Sequence, residues 1–266
     1  MSTYAFVDGS SLLSLIESAR TYFSIDTEAV FDFGAFFRKE ADDAARTFFY
    51  HAFPDRKPGT DDAAHQALLD TTEELFDRIN RCPGIHVKNG ISRFRNKRQE
   101  QKGVDILLAI DVYKHAVSGL ERAFIFANDG DFYPVLEALQ STKTRSILKC
   151  IRGKTPKYLY ELADQVSYMN ELNVVVHFDS VLDGKRYRVN DKQHLGLSGI
   201  TAQGYGYLQT TAFEGGEKYE IYTNASSGDF YATKGDQVLY HLRDIGAFWK
   251  YMEREFGLFP KKETDF

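Results

Sequence analysis

Short apolar runs alternate with amphipathic helical segments from residue 4 to about residue 172, and this alternation constrains the fold more than any other feature of the chain. Strands that alternate with helices build a parallel sheet covered by helices on both faces. The predicted strands are 4–7, 47–53, 85–87, 122–127 and 146–151, and the predicted helices are 63–79, 103–117, 132–140 and 158–172. We therefore expect an α/β fold with a mostly parallel sheet.

The remainder of the chain has a different pattern. Short β-like pieces separated by glycine-rich turns extend from residue 174 to about residue 240, and a short helix is predicted at 239–255. We therefore expect two domains, an α/β domain at 1–178 and a small β-rich C-terminal domain at 179–266.

Composition excludes several classes of protein. The chain has 266 residues, of which 43% are hydrophobic, so it can bury a core and is not globally disordered. Its longest apolar runs are far shorter than the roughly 20 residues of a membrane span, and residues 1–11 lack the pattern of a signal peptide. Cys82 and Cys150 are the only cysteines, which excludes a disulfide framework and favours a reducing, cytoplasmic location.

The net charge of −5 hides a strong local asymmetry. Two stretches, 86–102 and 143–157, are rich in cations, whereas 40–77 is rich in acids. Basic clusters of this kind suit a polyanion such as a nucleic acid. The cations are Lys88, Arg93, Arg95, Lys97, Arg98 and Lys102 in the first stretch, and Lys143, Arg145, Lys149, Arg152, Lys154 and Lys157 in the second.

Aspartates stand at three separate points of the predicted α/β domain. Asp8 follows the first strand, Asp129 and Asp131 follow the strand at 122–127, and Asp105 lies in the first turn of a helix. Ligands of parallel sheets bind beyond the carboxyl ends of the strands. Carboxylates gathered there repel one another unless a cation lies between them, and Mg²⁺ prefers oxygen ligands. The aspartates could also act only in turns and helix caps.

Other polar residues near these segments have less specific interpretations. Ser10 and Ser11 are predicted to cap the helix that follows the first strand. Asp111 either belongs to the site or pairs with His115 one helical turn later.

Three segments together resemble the motifs of the NYN family of PIN-like nucleases, in both order and spacing. They are FVDGS at 6–10, KGVDILLAID at 102–111 and FANDGDF at 126–132. The resemblance covers about residues 4–172. It implies a PIN-like, Rossmann-like α/β fold and a nuclease that depends on Mg²⁺ or Mn²⁺, with Asp8, Asp105, Asp129 and Asp131 at the acidic metal-site positions.

The motifs depart from the family pattern at two places. Ser11 stands where the family usually has asparagine, and Ala127-Asn128 replaces the usual Ser-Gly before the paired aspartates. These changes affect substrate orientation or water positioning, whereas every carboxylate is retained.

We therefore predict an endoribonuclease that hydrolyses unpaired RNA with metal-activated water. The alternatives are a catalytically silent module that binds RNA or protein, and a nuclease that acts on DNA. The C-terminal domain would select substrate, bind a protein partner or form a homo-oligomer. The predicted substrate-binding residues are Ser10, Ser11, Lys102, Asn128, Arg93, Arg95, Lys97 and Arg98.

Overall fold

The computed structural model describes most of the chain up to residue 182 and parts of the remainder. For the two short strands at 93–95 and 98–100 it describes the backbone alone. The described residues are 2–22, 25, 29–56, 59–90, 93–95, 98–100, 103–175, 177–182, 185–188, 201–202, 204–212, 218–224, 226, 230–235, 237–242, 249 and 253.

A six-stranded sheet forms the centre of the N-terminal part, and all of its neighbouring strands are parallel. Its spatial order is β4-β3-β1-β7-β8-β9. The strands are β1 (Thr3–Asp8), β3 (Arg46–His51), β4 (Ile85–Asn89), β7 (Arg122–Phe126), β8 (Arg145–Ile151) and β9 (Gln165–Met169). Two small elements precede β3: a two-residue strand, β2 (Val30–Phe31), and a helix, α2 (Phe33–Glu40). The expected α/β fold with a parallel sheet is therefore confirmed.

Helices cover both faces of this sheet. On one face, α4 (Val104–Val117) and α5 (Tyr133–Leu139) bury Leu108, Val112 and Leu136 against sheet residues. On the other face, Phe36 of α2 packs against Phe126 with ring centroids 6.1 Å apart. Two further helices, α1 (Gly9–Tyr22) and α3 (Asp62–Asn80), follow β1 and β3 along the chain. Burial on both faces explains why the strands are nearly continuous apolar runs.

A small hairpin precedes α4. It consists of β5 (Arg93–Arg95) and β6 (Arg98–Glu100), which pair in antiparallel register.

The predicted helix at 158–172 is wrong. The chain forms α6 (Lys157–Leu162), then the edge strand β9, then α7 (Glu171–Val175). Asp164 explains the early end of α6, because its Oδ2 accepts hydrogen bonds from the backbone N–H and the hydroxyl of Ser146 on β8. These bonds hold the chain beside β8, where it continues as a strand instead of a helix.

The C-terminal part is rich in antiparallel β structure. One sheet has the order β11-β10-β2, formed by β10 (Phe178–Leu182), β11 (Lys185–Arg188) and β2. A four-stranded antiparallel sheet contains β12 (Gly206–Ala212), β13 (Lys218–Thr223), β14 (Phe230–Lys234) and β15 (Gln237–Leu242). The helix predicted at 239–255 is wrong over 239–242, where the cross-strand pairing of β15 with β14 prevails.

The chain divides into two compact units. The first comprises Met1–Ser14 and Phe33–Met169, and the second comprises Leu15–Asp32 and Asn170–Phe266. Within the second unit, the Arg20 guanidinium lies 4.7 Å from the ring centroid of Phe178. No helix in the described part of the chain combines the length and apolarity that crossing a membrane requires.

Candidate functional site

The site lies where the strand order of the parallel sheet reverses. From β1 the chain proceeds to β3 and β4 on one side, and it later returns to β7, β8 and β9 on the other. Asp8 ends β1, and Asp129 follows the adjacent β7, so both carboxylates lie at the carboxyl edge of the sheet on either side of this switch point. This is the position at which open α/β sheets bind ligands.

An open cleft of about 520 Å³ lies at this edge. It brings together six residues that were named from the sequence, one of which is Lys154 of the second basic stretch, in the loop after β8. These six are Asp8, Ser10, Ser11, Asn128, Asp129 and Lys154, and the rest of the lining is Ser14, Gly130, Ile151 and Pro156.

Asp8 is held in place by its own helix. Its side chain is only 7% exposed, Oδ1 accepts the backbone N–H of Ser10 at 3.0 Å, and Oδ2 accepts the hydroxyl of Ser11. Asp8 itself therefore caps the beginning of α1, and the expectation that Ser10 or Ser11 does so is wrong. Gly9 permits this turn, because a Cβ there would lie 2.7 Å from the Tyr50 carbonyl oxygen.

Asp129 caps the beginning of a single turn of 3-10 helix at Gly130–Phe132, and Asp131 lies within that turn. The Asp129 side chain accepts the backbone N–H of Asp131 at 3.0 Å. Phe132, only 1% exposed, anchors the turn in the core, while both aspartates remain exposed. The turn thus presents two carboxylates to solvent from a fixed backbone.

Asp105 lies in the first turn of α4, and the charges of all three other aspartates affect its pKa. Burial, and after it the negative charges of Asp8, Asp129 and Asp131, together raise its pKa to about 6. Four carboxylates from three separate elements therefore share one electrostatic environment, although only Asp8 and Asp129 line the cleft.

This acidic environment has the chemistry of a site for a hard divalent cation. Its candidate ligands are all carboxylate oxygens, and their mutual repulsion is the kind that a cation relieves. Among the described residues, no three Asp, Glu, His or Cys side chains are already arranged around one ion position.

Asn128 lines the cleft and also joins two loops through hydrogen bonds. Its Oδ1 accepts the backbone N–H of Ile151 at 2.7 Å and the hydroxyl of Thr155 at 2.8 Å. These bonds fasten the loop that carries Lys154 to the loop that carries Asp129.

The basic stretch 143–157 is divided by β8. Lys143 and Arg145 lie at the amino end of the strand, opposite to the aspartates, whereas Lys154 is exposed near the cleft. Lys149, in the middle of the strand, is 8% exposed, and its Nζ lies 3.0 Å from Oε2 of Glu40. The expectation that the whole stretch holds a nucleic acid is therefore wrong for Lys149, because a buried, paired cation cannot contact a phosphate.

Of the six cations in the first basic stretch, Lys88 is the one whose side chain the structure describes. Lys97 and Lys102 lie outside the described residues, as do the side chains of Arg93, Arg95 and Arg98 on β5 and β6. Their role in binding substrate remains a prediction.

Asp111 lies on α4 away from the aspartate cluster. The Tyr50 hydroxyl donates to its Oδ2 at 2.9 Å, and the Lys88 ammonium lies 4.0 Å from the same atom. The hydrogen-bond partner of Asp111 is therefore Tyr50, whereas the predicted partner, His115, feels only the charge of Asp111. No sequence spacing links Asp111 to Tyr50, since the sheet brings them together across 61 residues.

Two residues beside the site were missed by sequence reasoning. His51, at the end of β3, lies with its Nδ1 3.4 Å from the Ser10 hydroxyl. Burial lowers the pKa of His51, and the charge of Asp8 opposes this shift. Tyr158 lies directly against Gly130, where a Cβ would be 2.0 Å from its hydroxyl oxygen. The glycine between the paired aspartates is the sequence signal for that contact.

Comparison with known proteins covers the same part of the chain. The NYN domain matches residues 5–170, which include all four aspartates, five strands of the parallel sheet and most of the sixth, β1. Among proteins with curated descriptions, none matches. A solved structure of a protein of unknown function from Vibrio parahaemolyticus is similar over 63% of this chain and 91% of its own, with 16% identity and a TM-score of 0.45.

The NYN match extends over more than half of the chain and includes each of the three aspartate segments that form the acidic site. NYN is a PIN-like nuclease family, and such nucleases typically use divalent metals. The chain therefore belongs to the NYN domain family of PIN-like nucleases.

Proposed function

We propose that this protein is a divalent-metal-dependent endoribonuclease that hydrolyses phosphodiester bonds in unpaired RNA. The observation that carries the proposal is the shared environment of the four aspartates, in which the charges of three raise the pKa of Asp105. Separate turn and cap roles would not require these residues to converge at the switch point of the sheet.

The chain's own groups prepare the site. Asp8 is fixed by two hydrogen bonds, and the 3-10 turn fixes the backbone of Asp129 and Asp131. We assign these three residues and Asp105 as the metal ligands, Mg²⁺ and Mn²⁺ being the candidate ions. When bound, such an ion would activate water and neutralise charge on the phosphate.

The cation of Lys154 supports a polyanionic substrate, since it lies in the same cleft as the carboxylates. An ammonium there would hold a phosphate next to the acidic residues and offset their repulsion of the strand. The choice of RNA over DNA follows the resemblance to NYN nucleases.

The test is cleavage of end-labelled single-stranded RNA and DNA of matched sequence, with Mn²⁺, Mg²⁺ or EDTA. We expect RNA to be cut only with metal, and Asp8→Asn or Asp129→Asn to lower the rate by roughly 100-fold or more. Glu73→Gln, on the exposed surface of α3, serves as the matched control and keeps wild-type activity.

Each of the other possible results would point to a different function, substrate or site. Binding of RNA without cleavage would show a catalytically silent module. Cleavage of DNA alone would overturn the substrate, and cleavage that persists in Asp8→Asn and Asp129→Asn would overturn the site.

A further inference from the structure

Two exposed tyrosines stand beside the paired aspartates. Tyr133 is 39% exposed and Tyr158 is 47% exposed, although large aromatic side chains bury most of their surface in typical folds. Their ring centroids are 5.9 Å apart and their planes meet at 68°, so the rings pack edge to face. Edge-to-face packing uses at most one ring face of the pair, and both side chains keep a large exposed fraction.

The position of this pair is fixed relative to the carboxylates. The Tyr158 hydroxyl lies against Gly130, the residue between Asp129 and Asp131, because a Cβ on that glycine would be 2.0 Å from it. Tyr133 follows the 3-10 turn directly, and its hydroxyl donates to Oε1 of Glu137 at 3.0 Å. Both rings are therefore held next to the metal-site loop.

Two exposed lysines lie in the same part of the chain as Tyr158. Lys157 precedes Tyr158 at the beginning of α6 and is exposed, and Lys154 lines the cleft beside Asp129. An exposed aromatic ring in a segment that also carries exposed ammonium groups matches a nucleotide, whose base stacks while its phosphate pairs with a cation. A purely apolar partner would leave these cations without a role.

We propose that Tyr158, supported edge-on by Tyr133, is a stacking site for an unpaired base of the bound strand, next to the phosphate at the carboxylates. The identity of the strand as RNA rests on the proposed function. Bases of a duplex are paired and stacked on one another, so only an unpaired base can lie flat on this ring. The tyrosine pair is thus a specificity element for single strands.

The test separates base stacking from phosphate binding. Fluorescence anisotropy in EDTA measures the affinity of the full-length protein for an oligouridine of about 12 nucleotides and for an abasic ribose-phosphate strand with the same number of phosphates. We expect wild type to prefer the oligouridine by roughly 5- to 150-fold, the range for one stacked base.

The variants isolate the ring face. Tyr158→Leu, which keeps an apolar side chain, reduces the preference to near unity, whereas Tyr158→Phe retains it. Tyr113→Leu removes an exposed tyrosine that lies about two turns beyond Asp105 on α4, and it leaves the preference unchanged. A thermal unfolding curve for each variant shows that the fold is intact.

The stacking site is overturned if wild type binds both strands equally, or if Tyr158→Leu keeps the full preference. A cleavage assay with Mn²⁺ on the same preparations distinguishes this failure from failure of the proposed function. Asp129-dependent cleavage with no effect of Tyr158→Leu on binding overturns the stacking site alone. Base-dependent binding through Tyr158 without any cleavage overturns the nuclease and upholds the stacking site.

Discussion

At the scale of one residue, Asp105 shows that the acidic site lowers the stability of the metal-free fold. Its folded-state pKa is raised to about 6 from the ordinary value of 3.8, first by burial and then by Asp8, Asp129 and Asp131. The folded protein therefore holds the Asp105 proton more tightly than the unfolded chain does. As pH rises from 3.8 through 6, ionisation of this carboxyl destabilises the metal-free protein.

Replacing this carboxylate should stabilise the metal-free fold. We expect Asp105→Asn to raise the free energy of unfolding in EDTA at pH 7.5 by about 1–2 kcal/mol, with solvent screening included. The gain should shrink as pH falls below 6 and be small at pH 4, where the wild-type carboxyl is protonated in the folded state.

Urea unfolding of wild type and variant at the two pH values measures this difference, with Glu73→Gln on α3 as a control for removal of an exposed acid. Equal stability of wild type and Asp105→Asn at pH 7.5 would contradict the raised pKa of Asp105, and with it the destabilisation of the carboxylate by burial and by its three neighbours.

At the scale of elements, the loops after β7 and β8 act as one piece. Asn128 joins them by accepting hydrogen bonds from the Ile151 N–H and the Thr155 hydroxyl. Asn128→Ala leaves both donors without this acceptor, so we expect a loss of about 1–3 kcal/mol in stability and faster hydrogen exchange at the Ile151 amide.

Thr155→Val is the matched comparison, because it removes one of the two donors and leaves the Ile151 amide bonded. It should lower stability less than Asn128→Ala does and keep the slow exchange of Ile151. Unchanged exchange at this amide in Asn128→Ala would refute the link between the two loops.

The elements also show which parts of the fold can be read from the sequence. β1, β7 and β8 are predictable because strands buried on both faces are continuous apolar runs. β9 cannot be predicted from its own sequence, because the hydrogen bonds between Asp164 and Ser146, 18 residues earlier, hold it beside β8. The helical spacing of apolar residues does not reveal such a tertiary hydrogen bond, so it wrongly predicts one continuous helix over 158–172.

The same division holds for the site. Asp8 and Asp129 are predictable because a carboxylate directly after a parallel strand must lie at the binding edge. The partners that hold the site, such as His51 beside Ser10, come from strands that are neighbours only in space. Their pairing cannot be inferred until the strand order is known.

At the scale of the whole molecule, the net charge of −5 conceals an ordered distribution of charge. Lys143 and Arg145 lie at the amino end of β8, at one edge of the sheet, and Lys149 is buried within the strand. Lys154 and Lys157 follow β8, at the edge that carries the aspartates. The division into domains at 1–178 and 179–266 remains a prediction, as does the role of the C-terminal part.

This distribution predicts how binding depends on salt. The double variant Lys154→Gln with Lys157→Gln should weaken RNA binding. It should also reduce the steepness of log affinity against log salt by about 1.4, since each phosphate contact on a single strand contributes about 0.7. Lys143→Gln with Arg145→Gln, an equal change of charge at the opposite edge, should leave the slope near wild type. Titrations of labelled RNA in EDTA at several salt concentrations compare the pairs, and equal effects of both would refute a binding surface confined to one edge.

The central claim is that the aspartates at the switch point of the sheet hold a divalent cation. The most direct measurement is anomalous scattering from crystals of the full-length protein grown with Mn²⁺. The account predicts a peak with oxygen ligands at about 2.1 Å that include the carboxylates of Asp8 and Asp129. Crystals saturated with Mn²⁺ that show no peak there, with Asp8 and Asp129 too far apart to share an ion, would contradict it.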